Sequence, residues 1–160
     1  MAHLTQVQVR FYELDPYDHL NHAVYFSYFE TARIEALASV GYDLTRLKRE
    51  GFHLVVAEVR ARFHRPAVYG ERLDITSRLV ESKRVTSRWS QVAAIEGEAV
   101  ATLELTGAIT DADGRPRRAP AGFLEAIVRY ALANVPLDIT VLRDCPLPVD
   151  RIRPPDSIRQ

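Results

Sequence analysis

The stretch YELDPYDHLNHAVYFSYFETAR, residues Tyr12 to Arg33, decides the fold. Its first half crowds Asp15, Asp18, His19, Asn21 and His22 into one short loop. Pro16 fixes its own φ and offers no N–H, so the chain must turn there. Asn21 is a good N-cap, and a helix is expected from about His22 to Val40, stopping at Gly41. Its apolar positions Tyr25, Phe26, Phe29, Ala32, Ala36, Leu37 and Val40 cover more than a narrow stripe. Such a helix is expected to be mostly buried rather than laid on a surface.

On either side of the helix the pattern is that of strands. Gln6 to Tyr12 alternates polar and apolar residues. Leu44 to Glu50 suggests a short second helix. In Val55 to Phe63 the apolar Val55, Ala57, Val59, Ala61 and Phe63 alternate with the charged Glu58, Arg60 and Arg62. That period of two marks a strand with one face on a core. Leu73 to Val80, Val85 to Ile95 and Ala99 to Thr110 read as three more strands. Glu96-Gly97-Glu98 makes a tight turn between the last two, and Asp111-Ala112-Asp113-Gly114 closes the final one. Phe123 to Ala133 looks like a last short helix.

A long helix that is apolar nearly all round needs a sheet curled over it. The expected fold is α+β, a five-stranded antiparallel sheet wrapped around the central helix. A small wrapped sheet has open edges, which pairing with a second copy covers.

The 160 residues suit one domain with a real core. Residues 1–131 form that domain, and 132–160 are expected to be an irregular extension holding five of the nine prolines, Pro136, Pro146, Pro148, Pro154 and Pro155. Acidic and basic residues balance at 21 each, which lacks the basic field of a nucleic-acid binder. One cysteine, Cys145, excludes an internal disulfide. MAHLTQVQVRFYELD has no apolar signal core, and no apolar run is long enough to span a bilayer, so a cytoplasmic protein is expected.

Chemistry concentrates in the opening stretch. The plain reading of Asp15 is a turn residue that caps its own loop. The functional reading sets its carboxylate opposite the helix start. Unpaired N–H groups and the positive dipole end there can polarise a carbonyl oxygen. A carboxylate facing that carbonyl can attack it or activate a water. Together these parts make a hydrolytic site for an acyl group. His19 and Asn21 would shape the loop, and His22 would supply an N–H near the helix start. Asp18, His19 and His22 are also metal-ligand types, but no further His or Cys cluster accompanies them, and no metal or organic cofactor is expected. No G-x-S-x-G elbow or glycine-rich phosphate loop exists.

The run from Tyr12 to Tyr25 resembles the active-site signature of hotdog-fold acyl-CoA thioesterases. It is similar to the 4-hydroxybenzoyl-CoA thioesterase type and its long-chain acyl-CoA relatives, where D-x-x-x-H-V-N-N-x-x-Y precedes an aromatic helix ending E-x-A-R. Here that helix ends Glu30-Thr31-Ala32-Arg33. The likeness continues through Val55-Val56-Ala57-Glu58, Arg65-Pro66-Ala67, Gly70 and Asp111 to Pro116. His22 stands where the long-chain relatives have asparagine, and Leu20 replaces valine. The resemblance implies an acyl-CoA substrate, with coenzyme A as part of that substrate. It implies a homodimer or a tetramer built from two dimers, with the active site at a subunit boundary. It assigns Asp15 as the catalytic carboxylate and puts a backbone N–H from His22 to Val24 at the thioester oxygen. Tyr25 and Glu58 are candidate contacts for the acyl group. Arg62, Arg65, Arg84 and Arg88 are candidates for the phosphates of coenzyme A, because guanidinium geometry suits phosphate.

Overall fold

The computed structural model describes residues 3–123 and 125–127. Its elements are β1 (His3–Gln8), α1 (His22–Ser39), α2 (Leu44–Arg49), β2 (His53–Phe63), β3 (Arg72–Ser82), β4 (Thr86–Ile95) and β5 (Glu98–Thr110). All strand pairings are antiparallel, in the order β1-β3-β4-β5-β2. The α+β fold read from the sequence, five antiparallel strands with one long helix, is the fold found. The proline-rich 132–160, Cys145 and most of the expected last helix lie outside the described residues; residues 125–127 are helical.

α1 begins where Asn21 Oδ1 accepts the Ala23 N–H at 2.9 Å. It ends at Gly41, whose φ of +84° suits a residue without Cβ. The turn from β4 to β5 puts Glu96 and Gly97 at φ 51° and 84°, both left-handed, as a two-residue hairpin with the right twist requires.

The core lies between α1 and the inner sheet face. Alternate residues supply it: Leu73, Ile75 and Ser77 from β3, Trp89, Gln91, Ala93 and Ile95 from β4, Leu103 and Leu105 from β5. Tyr25, Tyr28, Phe29, Ala32, Ala36 and Leu37 of α1 close on them. Phe29 alone, 1% exposed, contributes roughly 1.5–3 kcal/mol by leaving water.

Three expectations need correction. The first strand stops at Gln8 rather than Tyr12. Arg10 N–H donates to the Glu13 carboxylate at 2.8 Å, and Phe11–Glu13 coils into a 3-10 turn instead. Next, α1 is buried on one side only, with Phe26, Ser27, Glu30 and Thr31 exposed. Finally, β2 contains a bulge between Val56 and Glu58, so Ala57 drops out of the register and the alternation read across it is broken. Leu54, Val56 and Val59 instead oppose Ile109, Gly107 and Leu105. β2 is an edge strand, and its apolar side chains are open: Val55 is 43% exposed, Val56 54% and Phe63 46%.

Candidate active site

The loop ahead of α1 folds back on itself. Leu14 bridges to Leu20, Asp15 N–H donates to the His19 carbonyl at 2.7 Å, and Asn21 N–H to the Glu13 carbonyl at 3.0 Å. Asp18 takes φ 61°, a left-handed conformation that aspartate tolerates. The loop is pinned to the segment after β2 by Leu20 N–H on the Ala67 carbonyl, 2.7 Å, and by a bridge from His19 to Val68. The outcome is a closed loop, with Asp15 at its neck, that leads into α1.

Both readings of Asp15 coexist in the geometry. Its Oδ1 accepts from the Tyr17 and His19 amides at 2.8 and 3.1 Å, which caps the loop and fixes the side chain. Oδ2 has no hydrogen bond or ion pair among the described residues. The carboxylate is half-buried and held through one oxygen.

At the helix start the Ala23 amide is taken by Asn21 Oδ1 and the Val24 amide by the Asn21 carbonyl at 2.9 Å. Within the window from His22 to Val24, His22 therefore offers the amide not used by the cap. The His22 side chain is exposed, its ring 6.4 Å from that of Phe63 at the end of β2. Tyr25 packs on the same Phe63 at 5.3 Å. Its hydroxyl is buried with only the Ala67 backbone near it and no well-formed hydrogen bond among the described residues, and burial pushes it above the ordinary tyrosine value.

Behind this loop, Tyr28 anchors it to the helix. Its buried hydroxyl donates to the Glu13 carboxylate, which Arg10 also meets at 3.5 Å. Burial, then that hydrogen bond, holds the Tyr28 hydroxyl well above its usual range.

Asp15 and His19 are joined in the loop, Asn21 caps α1 onto Ala23 and Val24, and His22 and Tyr25 meet at Phe63. The structure separates the others. Glu58 and Arg88 both oppose Thr106, Arg62 opposes Thr102, and Trp89 and Leu105 at the alternate positions point to the core. Glu58, Arg62 and Arg88 thus occupy the outer sheet face, away from α1. Glu58, Arg60, Arg88 and Glu104 line a shallow hollow of about 40 Å³ there. Arg65 pairs with Glu71 and Glu98 at 3.6 and 3.3 Å. No group of three or more His, Cys, Asp or Glu gathers as a metal site among the described residues. No helix among them is long and apolar enough to cross a membrane.

Sequence reasoning missed Phe63 as a wall of the site and missed the pairing of Arg33 with Gln91. The available signal was Gln91 itself, a lone amide on the otherwise apolar inner face of β4.

Comparison with known proteins agrees with this geometry. A family model described as the thioesterase-like superfamily matches residues 9–138. The long-chain acyl-CoA thioesterase FadM of Escherichia coli is 34% identical over 104 residues, 64% of this chain and 78% of FadM. The YbaW probable thioesterase from Escherichia coli superimposes with a TM-score of 0.68 at 31% identity, covering 78% of this chain and 98% of that one. A Thermus thermophilus thioesterase complexed with coenzyme A and Zn gives 0.68 and 31%, over 83% and 95%. With its helix-wrapping sheet and its family match over residues 9–138, this chain belongs to the thioesterase-like superfamily and has the hotdog fold.

Proposed function

We propose that this protein hydrolyses an acyl-CoA thioester to the free acid and coenzyme A, with Asp15 as the reacting carboxylate. The observation that carries this reading is the half-engaged Asp15: two amides orient Oδ1, and Oδ2 is left unpartnered in the loop that leads into α1. The thioester carbonyl lies at the first turn of α1, where the His22 amide and the helix dipole stabilise the charge that develops on oxygen. Oδ2 then takes a proton from a water that attacks the carbonyl carbon, or attacks that carbon itself to give a mixed anhydride that water afterwards hydrolyses, freeing the acid and the Asp15 carboxylate. Coenzyme A leaves as the thiolate and is protonated by solvent. His19 and Asn21 hold the loop rather than react, since their amides and the Asn21 side chain are committed to it. No metal or organic cofactor enters these steps.

The working unit in this reading is a homodimer, alone or doubled into a tetramer. The open edge strand β2 exposes Leu54, Val56, Val59 and Phe63 on one face, more apolar surface than an edge strand leaves in water. A second copy covers it and sets the site at the subunit boundary, where Phe63 already flanks His22.

The test is thiol release from a panel of aliphatic and aromatic acyl-CoAs by the purified protein, with Asp15→Asn and Asp15→Ala beside it. Hydrolysis by the wild type and its loss in both variants is the expected result. Addition of water to an enoyl-CoA without thiol release would mark a hydratase instead. Tight acyl-CoA binding with no turnover would mark a binding protein.

A further inference from the structure

We propose that Arg33 selects acyl groups carrying an oxygen at their far end, a hydroxyl, oxo or carboxylate oxygen. This rests on the thioesterase reading and names the substrate class of that same site. α1 and β2 run in opposite directions, with cavities lined by both between them. At one end His22 meets Phe63. Farther along, Phe26 and Val59 line a cavity of about 220 Å³, and Leu37 and Leu54 one of about 130 Å³. The two adjoin, sharing Glu30, Arg33, Val56 and Leu105. They form one groove along α1 that begins at Phe26, one turn beyond His22, and the acyl part of a thioester placed at His22 would run into it.

The walls of this groove are mostly apolar, with Ser27, Glu30 and Ser87 as further polar residues and Arg33 as the cation. Its guanidinium donates to Gln91 Oε1 at 2.6 Å. Gln91 is fully buried, with its amide N–H groups on the Phe29 carbonyl at 2.8 Å and Ser77 Oγ at 2.6 Å. Every hydrogen-bonding group of that amide is used, so it cannot turn, and it pins one corner of the guanidinium. No carboxylate among the described residues is within 4.0 Å of Arg33. Glu30, one turn back and exposed, is the acid that acts on it at longer range, and burial draws the Arg33 pKa down. A guanidinium has five N–H donors, and Gln91 takes only one corner of this half-buried one. The remaining donors border the space an acyl chain would fill. Arg33 is eleven residues beyond His22, about 16 Å along the helix axis at 1.5 Å per residue. That span suits an extended medium-length chain whose last atoms include an acceptor. A carboxylate would be held most strongly, because both partners are charged.

The experiment compares decanoyl-CoA, ω-hydroxydecanoyl-CoA and sebacoyl-CoA, which differ only at the far end. Affinity is measured by calorimetry on Asp15→Asn protein, with and without Arg33→Met, and kcat/KM on protein with Asp15 intact. With Arg33 present, the two oxygenated ligands are expected to bind about tenfold or more tighter than decanoyl-CoA, the worth of one charge-assisted hydrogen bond. With Arg33→Met the preference disappears. Equal or tighter binding of decanoyl-CoA by protein that keeps Arg33 overturns the proposal, and so does a preference that survives Arg33→Met. The Arg33-bearing arm decides even where Arg33→Met does not fold. Discrimination in binding without turnover would sink the hydrolytic reading alone. Turnover without discrimination would sink this one alone.

Discussion

Replacing Gln91 with leucine tests whether the buried polar cluster beneath α1 is as tightly coupled as its distances imply. Gln91 is wholly buried and makes three hydrogen bonds, to Arg33, to the Phe29 carbonyl and to Ser77 Oγ. Leucine fills nearly the same volume, so the cavity cost is small. What remains is three polar groups that lose their partner, one of them a cation. Leaving a buried group unsatisfied costs about 1–3 kcal/mol, more for a charge. The Phe29 carbonyl and the Ser77 hydroxyl can recover part of this elsewhere, so the expected loss is about 3–6 kcal/mol. Against a total stability of about 5–15 kcal/mol that is a severe change. Urea unfolding followed by tryptophan fluorescence reads it, with the m-value checked for constancy. The double variant Arg33→Met with Gln91→Leu removes both ends of one bond and should be less destabilised than the two single losses added, a coupling of about 1–3 kcal/mol. A Gln91→Leu loss below about 1 kcal/mol would refute the reasoning, since it would mean that the cluster is bridged some other way.

Two further outcomes follow from other parts of the molecule. Val56→Lys places like charges where two β2 edges would meet, and sedimentation should show the dimer giving way to monomer; an unchanged mass would exclude that edge as the interface. Tyr28 has its hydroxyl held above the ordinary tyrosine value of 10.0, so the neutral form is favoured by folding. Its contribution is complete below pH 10.0 and is lost as pH rises through the raised folded value, so alkaline unfolding should be steeper in the wild type than in Tyr28→Phe. Equal pH slopes above that point would contradict it.

Much of the fold was legible because local signals agreed. Asn21 capped the helix where a capping residue should, Gly41 ended it, and Glu96-Gly97 turned the hairpin. The rest depended on pairing between distant segments. The bulge after Val56 is set by the register with β5, and nothing in Val55 to Phe63 itself announces it. The first strand was read too long because its alternation continues into Arg10 to Tyr12. A side-chain bond from Glu13 back to the Arg10 amide competes there and wins. Asp15 was visible as a loop-capping acid ahead of a helix, but which of its oxygens stays free depends on the fold-back of the loop. Arg33 and Gln91, 58 residues apart in sequence, meet only when β4 packs on α1. The arginines proposed for phosphate contacts were chosen by residue type, and strand alternation sent Arg62 and Arg88 to the outer face.

The measurement that bears most directly on Asp15 is the turnover number of Asp15→Asn on the best acyl-CoA, taken together with its affinity for that ligand. Asparagine keeps the size and an oxygen for the Tyr17 and His19 amides, so folding and binding should stay near wild type while kcat falls about a hundredfold or more. A variant that binds the thioester and cleaves it as fast as the wild type would show that this carboxylate is a loop cap and nothing more.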